Sequence, residues 1–341
     1  MFEPKYSLHT DLLNNLLRIK TLINELNAQD YPDLALSNFE KDSNAVSAFA
    51  STSIEGNPLA LTEVRRILKN KPTRIRDTER EILNYNTALE YLNTSLPDPK
   101  KITIGFICHI QSLVTDGLIE KHNHGKIRTA PVVVNDPRKR QVVYIPPNIE
   151  DVSPLLQQLI TFVEKQGGQT DPLILAGIFH KQFVIVHPFM DGNGRTTRLI
   201  TKYLLARMGL DTFKLFSFEN YYNKNVTKYF ASVGEYGDYY EIQQNVDFTS
   251  WLIYFTDGII DELLRVQNLL SQTIVSLRVE EYEQNIISYL QNHSTLAEAD
   301  YAMFTTRARS TRILDFKRLV EKGTLIRHGK GKSTYYTLVT K

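Results

Sequence analysis

The sequence contains the stretch HPFMDGNGRTTR, which runs from His187 to Arg198. A segment that is apolar nearly all round, residues 173–184, precedes it and predicts a helix buried at the centre of a bundle. Gly192 and Gly194 lie just before a second helical segment, so the backbone amides around them belong to a helix N-terminus. Free amides at the positive end of a helix dipole bind phosphate oxygens. The stretch therefore predicts a phosphate-binding loop between two helices.

The charged residues of this stretch extend the prediction. Arg195 and Arg198 lie three apart on the first turn of the second helix, where cations oppose the dipole by up to about 1 kcal/mol unless an anion compensates. Asp191 can hold Mg²⁺ against the phosphates, and His187 has the pKa of a general base. A single histidine after an apolar helix is usually structural, and a lone GNG is merely a turn. Their convergence within one short stretch favours a nucleotide site.

The same stretch matches, position for position, the signature HPFx(D/E)GNGRxxR, so the chain resembles the Fic-domain proteins. The resemblance implies an all-α core that transfers AMP from ATP to a Ser, Thr or Tyr hydroxyl of a target protein or of the chain itself. It implies that His187 is the catalytic base, that Asp191 binds Mg²⁺ and that Phe189 anchors the core. The residues implied to contact ATP are Gly192, Asn193, Gly194, Arg195, Thr196 and Arg198.

Two further positions concern the nucleotide. The Doc-like branch of the family has lysine where this chain has Gly194, and that branch phosphorylates its targets, so Gly194 favours AMP transfer. The family tends to place a tyrosine-bearing helix near the adenine, and Tyr229, or alternatively Phe230, is the candidate here. The competing interpretation is that both are core aromatics.

An upstream segment, Ser51 to Asn57, reads STSIEGN and resembles the inhibitory motif (S/T)xxxE(G/N) of the family. A Glu55 carboxylate paired with Arg198 would occupy the guanidinium that the γ-phosphate needs. We therefore predict that Glu55 inhibits the chain, although a glutamate at a helix end is by itself usually solvated. In some relatives this glutamate positions a water that removes AMP, which leaves a reverse activity open.

Patterns along the chain predict a mainly α fold. Apolar residues at helical spacing follow a cap at Asp77, and Asp171 caps a helix that has a proline in its first turn. An earlier helix is predicted from the Asp42 region to Glu55, where the sequence Gly-Asn-Pro then stops it. Two valine-rich runs flank a turn sequence, which predicts a hairpin over residues 131–145. This hairpin corresponds to the flap of the family, which docks the target protein by strand addition.

The predicted domains are an N-terminal helical region with the inhibitory motif, a Fic core and a small α+β winged helix, over 1–100, 101–275 and 276–341. The last has a basic helix, 306–321, followed by a two-stranded wing, so its partner is DNA or a protein. The alternative function is accordingly a DNA-binding regulator whose Fic core senses a nucleotide. The cations that favour DNA are Arg307, Arg309, Arg312, Lys317, Arg318, Arg327, Lys330 and Lys332.

Composition excludes several classes of protein. The net charge is +2 and no stretch approaches the roughly 20 apolar residues of a membrane span, so we expect a cytoplasmic protein without a membrane partner. Cys108 is the only cysteine, which excludes internal disulfides and a cysteine-rich zinc site. His180 and His187 lack the spacing of a helical zinc pair. Phosphotransfer to small metabolites and a homodimer stay open.

Overall fold

The structure, a computed structural model, describes residues 2–31, 33–96, 101–136 and 141–339. The chain divides into two compact units. The first ends at Gln267 and the second begins at Asn268. The predicted division at residues 100 and 275 stays a prediction, and the helices on both sides of residue 100 belong to the first unit.

Helices make up most of the first unit. The last of them continues past Gln267 into the second unit. Their bounds are α1 Thr10–Asn27, α2 Asp33–Ile54, α3 Leu61–Lys69, α4 Asp77–Ser95, α5 Ile104–Thr115, α6 Ile149–Gln166, α7 Pro172–Val186, α8 Asn193–Leu205, α9 Glu219–Lys224, α10 Val226–Val233, α11 Tyr239–Ile242 and α12 Thr249–Asn292.

The predicted hairpin is present. Its strands, β1 Val134–Asp136 and β2 Gln141–Ile145, pair antiparallel, and β3 Gly237–Asp238 pairs with β2 in parallel. The turn at 137–140 lies outside the described residues. The hydroxyl of Tyr144 in β2 donates a hydrogen bond to the carbonyl oxygen of Ile185, 3.0 Å away, which fixes the small sheet to α7.

Helix α7 is the centre of the first unit, as its all-round apolar character predicts. Asp171 caps it by accepting a bond from the amide of Leu173 at 3.0 Å, which confirms the predicted start. A β-carbon on Gly177 would lie 2.6 Å from Leu252, so this glycine permits the close approach of α12. The indole of Trp251 donates to the Gly177 carbonyl at 2.7 Å. These contacts hold α7 against α12, and α7 also packs against α8.

Two predicted helix starts are wrong. The cap of α4 is Arg76 rather than Asp77, because the Glu79 carboxylate reaches back to accept the Arg76 amide at 3.0 Å. Helix α2 begins at Asp33, well before the region of Asp42 that looked like its cap. Its end at Ile54, followed by Gly56 with φ +98°, agrees with the predicted stop.

The second unit begins within α12, at Asn268. The elements after α12 are β4 Leu296–Ala297, α13 Glu298–Tyr301, α14 Arg309–Glu321, β5 Leu325–His328 and β6 Tyr335–Leu338. Its sheet has the order β4-β6-β5, with both pairs antiparallel, and β5 and β6 are the two strands that the sequence predicted here. The interpretation of the whole unit as a winged helix stays a prediction.

Within the described ranges, no helix combines the length and the apolar character that crossing a membrane requires.

Candidate functional site

The loop that joins α7 to α8 carries the predicted site. His187 caps α7 with φ 49° and ψ 61°, a left-handed conformation, and its amide donates to the Phe183 carbonyl at 3.0 Å. A non-glycine residue in this region costs on the order of 1 kcal/mol, so the surrounding contacts must hold it there. Gly192, with φ 81°, turns the chain again at the start of α8.

Arg128, which the sequence did not single out, holds this loop from outside. Its Nε donates to the His187 carbonyl at 2.9 Å, and its amide donates to the Pro188 carbonyl at the same distance. A second guanidinium nitrogen donates to the carbonyl of Pro147. The residue is 2% exposed, so the cation is held by carbonyl oxygens instead of water. A lone arginine between two predicted elements has no sequence pattern that reveals this role.

The imidazole of His187 is set up as a neutral base. Its Nδ1 lies 3.3 Å from the Val184 carbonyl oxygen, which can only accept, so the Nδ1–H tautomer is favoured and Nε2 is free to take a proton. Burial lowers the pKa of His187, and the charge of Arg128 acts in the same direction, against the bond to Val184. The neutral form therefore prevails at neutral pH.

The N-terminus of α8 forms the predicted cradle of amides. The first bond inside the helix runs from the Thr196 amide to the Gly192 carbonyl, so the amides of 193–195 precede it and face the loop. The side chain of Asn193 accepts from the Phe189 amide at 2.9 Å and donates to the Phe189 carbonyl at 2.8 Å. Asn193 thus braces the loop through its side chain, and its implied contact with ATP stays a prediction.

Glu55 lies at this cradle. Its Oε1 accepts a hydrogen bond from Nη2 of Arg198 at 2.6 Å, and a β-carbon on Gly194 would lie 2.0 Å from the same oxygen. Arg198 is fully buried and also donates to the side chain and the carbonyl of Ser51, at 2.8 and 2.9 Å. Its Nη1 has no hydrogen-bond partner among the described residues and lies beside Gly194. The carboxylate of Glu55, just after the end of α2, therefore fills the space between Gly194 and the Arg198 guanidinium.

Arg195 is engaged differently from Arg198. Its Nη1 pairs with Glu81 of α4 at 2.7 Å, and its Nη2 pairs with Asp191 at 3.1 Å. Because its side chain is 6% exposed and faces two carboxylates, Arg195 is not free to bind phosphate in this arrangement. The Thr196 hydroxyl is buried and has no partner in the described part of the chain. Neither Glu81 nor its contact with Arg195 was predicted.

Tyr229, the candidate for adenine contact, is 1% exposed and belongs to an aromatic cluster with Tyr222 and Trp251. A ring buried this completely offers no face to a base, and the interpretation as a core aromatic fits its position. Phe230, the alternative, is 42% exposed.

The hydroxyl of Tyr229 has a defined direction. Thr201 donates its only hydroxyl proton to the Thr197 carbonyl at 2.7 Å, so it accepts from Nδ1 of His180, 3.0 Å away. Burial, with the charge of Arg198, lowers the pKa of His180 well below its usual value, so the ring is neutral. Its Nε2 consequently accepts the Tyr229 proton at 2.9 Å. The phenolic oxygen keeps its lone pairs for the neighbouring Arg198 guanidinium.

Asp191 is the residue of this loop that could hold Mg²⁺. Its side chain is 50% exposed at the mouth of the loop, and one carboxylate together with phosphate oxygens is a usual Mg²⁺ environment. The described residues contain no cluster of three or more histidine, cysteine or acidic side chains that could hold a metal alone. The residues thus fit a cation that arrives with a nucleotide.

Comparison with solved structures places the fold. A Fic family protein from Desulfovibrio desulfuricans G20 is 20% identical, with a TM-score of 0.65 over 100% of this chain and 99% of that one. Fic-1 from C. elegans is 23% identical, with a TM-score of 0.59 over 78% of this chain and 73% of that one. At these identities the similarity shows a shared fold.

Curated relatives share the sequence over part of their length. The protein adenylyltransferase Fic of Drosophila mojavensis is 27% identical over 270 residues, which are 77% of this chain and 50% of the relative. That of Drosophila sechellia is 32% identical over 179 residues, 51% of this chain and 35% of the relative. The chain spans half or less of the length of these two relatives.

The family comparison covers the cradle itself. Residues 101–205, which include α5, the hairpin, α6, α7 and α8, match the sequence model of the Fic/DOC family. The chain therefore contains a domain of the Fic/DOC family at residues 101–205.

Proposed function

We propose that the chain is a protein adenylyltransferase, which transfers AMP from ATP to a hydroxyl side chain of a target protein and of itself. The observation that carries this proposal is the position of Glu55, whose carboxylate lies beside Gly194 and pairs with the buried Arg198. An anionic group of the chain itself at a helix N-terminus marks a site built for anions. Sequence relatives named protein adenylyltransferase Fic support the choice of reaction.

The reaction follows from the groups around the cradle. A target hydroxyl oxygen attacks the α-phosphorus of ATP and forms a new P–O bond, while the bond from that phosphorus to the bridging oxygen of the β-phosphate breaks. The hydroxyl proton passes to Nε2 of His187, and pyrophosphate leaves. The amides of 193–195 stabilise the charge that develops on the phosphoryl oxygens. Arg198 binds the γ-phosphate once Glu55 has moved away.

Asp191 would hold Mg²⁺ on the phosphates, and the cation would neutralise part of their charge. Within the chain, Gln111 fixes the loop at this point, because its amide donates to the Asp191 carbonyl at 3.1 Å and its oxygen accepts from the Gly125 amide at 2.6 Å.

Glu55 is the proposed inhibitor of this reaction. Its carboxylate and the γ-phosphate would compete for the same guanidinium, so ATP binds misaligned or weakly while α2 is in place. Removal of AMP from a modified target, with Glu55 positioning a water, is a second activity that we propose. An assay for AMP release from a modified target tests it.

The hairpin is the proposed docking edge for the target. Strand β1 is at one edge of the described three-stranded sheet, and apolar side chains at Val133 and Val142 are 48% and 52% exposed. A segment of the target would pair with β1 as a further strand, and this pairing would bring the target's hydroxyl group to His187.

For the second unit we propose a protein partner. Two of the arginines that would favour DNA binding are already paired within the unit. Arg307 pairs with Asp315 at 2.7 Å, and Arg312 pairs with Glu298 at 2.5 Å. On α14 the exposed residues include Ile313 and Leu314, each about half exposed. A salt-dependent mobility shift of duplex DNA would restore the alternative of a DNA-binding regulator.

Labelled ATP tests the proposed reaction. Wild type, Glu55→Gly and the double variant Glu55→Gly/His187→Ala are incubated with α-labelled or γ-labelled ATP, with and without a lysate. We expect protein labelling from the α-label only, strongest in Glu55→Gly and absent without His187. Labelling from the γ-label would indicate phosphorylation, and no labelling with Glu55→Gly would refute the proposal.

A further inference from the structure

The carboxylate of Glu81 lies between the inhibitory segment and the signature stretch. One of its oxygens pairs with Nη1 of Arg195 at 2.7 Å, and the other accepts a bond from Nδ2 of Asn57 at 2.7 Å. Asn57 is two residues beyond Glu55. A single side chain of α4 thus contacts both the end of α2 and the start of α8. We call these three residues, Asn57, Glu81 and Arg195, the Glu81 bridge.

The orientation of Asn57 in the bridge is unambiguous. Its nitrogen faces two acceptors, the Glu81 carboxylate and the carbonyl of Thr78 at 2.9 Å. Its oxygen accepts from the amide of Leu59 at 3.1 Å. A flipped amide would place like groups opposite each other at all three contacts, so the nitrogen must donate to Glu81. The Asn57 side chain is therefore a full anchor between α2 and α4.

This anchor fixes Glu55 because little chain separates the two residues. The amide of Asn57 donates to the Thr52 carbonyl at 3.1 Å, and the amide of Glu55 donates to the same oxygen at 3.0 Å. Only Gly56 lies between them. A shift of Asn57 away from Glu81 therefore displaces the carboxylate that contacts Arg198.

The bridge is shielded from water. Asn57 is 8% exposed, and the side chains of Arg195 and Glu81 are 6% and 15% exposed. Charge-assisted hydrogen bonds in such surroundings are stronger than at a surface, and each partner lost leaves another polar group without its bond. The other end of Arg195 pairs with Asp191, so the bridge extends to the mouth of the loop.

We propose that Glu81 is a positioning residue that couples inhibition to the active loop: through Asn57 it holds Glu55 in the cradle, and through Arg195 it holds Asp191. The proposal rests on the proposed function for its consequence on AMP transfer. Its two halves are separable, because Asn57 acts only on the inhibitory segment, whereas Glu81 also acts on Arg195.

Asn57→Asp tests the first half. The substitution keeps the acceptor for Leu59 but replaces the donor by an oxygen that faces the Glu81 carboxylate. We expect faster hydrogen–deuterium exchange at residues 55–59 and a several-fold rise in AMP transfer. In the Glu55→Gly background the same substitution should give no further rise, because the group that it releases is already gone. Asn57→Ala serves as the uncharged variant. Asn86→Ala is the control, because this asparagine is on α4 like Glu81 but donates to Glu90 instead of to the bridge.

Glu81→Gln tests the second half. In the Glu55→Gly background we expect it to lower AMP transfer several-fold and to speed exchange at residues 193–196, with the overall melting temperature little changed. The proposal is overturned if Asn57→Asp leaves exchange at 55–59 unchanged, or if it raises AMP transfer equally with and without Glu55. If Glu55→Gly transfers no AMP, the proposed function fails, and the exchange measurements still decide the bridge.

Discussion

The carboxylate of Glu55 lies 2.6 Å from Nη2 of Arg198, although 143 positions separate the two residues in the chain. The guanidinium is fully buried, whereas the carboxylate is 29% exposed. Glu55, which follows the end of α2, is therefore the more exposed partner of this pair, and the arginine of the signature is the buried one. In the proposed reaction a γ-phosphate would compete for this guanidinium with Glu55 and with the two acceptors of Ser51.

Replacing Glu55 should separate charge from bulk. Glu55→Gln keeps the size of the side chain but loses the negative charge, so we expect a partial rise in ATP affinity. Glu55→Gly removes both, and we expect the ATP affinity to rise about tenfold or more, which corresponds to about 1.4 kcal/mol. Isothermal titration of ATP measures both. Glu164→Gln, on an exposed position of α6, is the control. Equal affinities in wild type and Glu55→Gly would exclude competition.

Tyr229→Phe should weaken ATP binding without affecting AMP. The hydroxyl proton of Tyr229 is donated to His180, so the phenolic oxygen can accept a bond from the Arg198 guanidinium. This acceptor stays in place when Glu55 and Ser51 move away from Arg198. Loss of one such bond costs about 0.5–1.5 kcal/mol, or roughly twofold to tenfold in affinity. The measurement is made in the Glu55→Gly background with both nucleotides. A parallel loss for AMP, which lacks the γ-phosphate, would indicate a general packing defect instead.

The pH dependence of AMP transfer should reflect the lowered pKa of His187. The base acts when neutral, so activity falls as the pH drops through the pKa of His187. Because burial and Arg128 lower that pKa, the acid midpoint of the profile should lie below the ordinary value of 6.5. An NMR titration of the imidazole, assigned with His187→Ala, gives the pKa without ATP. A midpoint above the ordinary value would contradict the neutral base.

Two arginines of the second unit offer a matched comparison of stability. Arg312 and Arg309 both contact Glu298, but Arg312 does so at 2.5 Å with its side chain 15% exposed, and Arg309 at 3.6 Å with 78%. Arg312→Ala should destabilise the unit by about 1–3 kcal/mol, because Glu298 and the Arg307 carbonyl lose a donor. Arg309→Ala should change the free energy of unfolding by less than about 0.5 kcal/mol. Urea unfolding followed by far-UV circular dichroism measures both changes. Equal effects would contradict the different contributions expected of the two arginines.

The sequence predicted those parts of the fold that depend on local patterns. The buried α7, the cap at Asp171 and the hairpin follow from spacing and composition, and the contact between Glu55 and Arg198 followed from a family motif. Contacts between distant elements have no such pattern. Glu81 and Arg128 look like ordinary charged residues in the sequence, and only the packing of α4 and of the segment before β1 brings them to the loop.

Tertiary packing also distinguishes residues that the motif presents as equivalent. Arg195 and Arg198 are equivalent in the sequence, yet the first pairs with Glu81 and Asp191. The second pairs with Glu55, and its Nη1, beside Gly194, has no hydrogen-bond partner in the part of the chain that the structure describes. The helix start at Arg76 was missed for a similar reason, since Glu79 supplies the capping oxygen from inside the helix. The partners of a polar side chain depend on the tertiary structure.

The left-handed backbone of His187 has a consequence for how this position tolerates change. Glycine adopts such a conformation at almost no cost, whereas histidine is kept there by its neighbours. His187→Gly would thus relieve the backbone strain at this position and would also remove the proposed base. Selection for thermal robustness alone would favour inactive chains at this residue, and a histidine persists there only under selection for what its ring does.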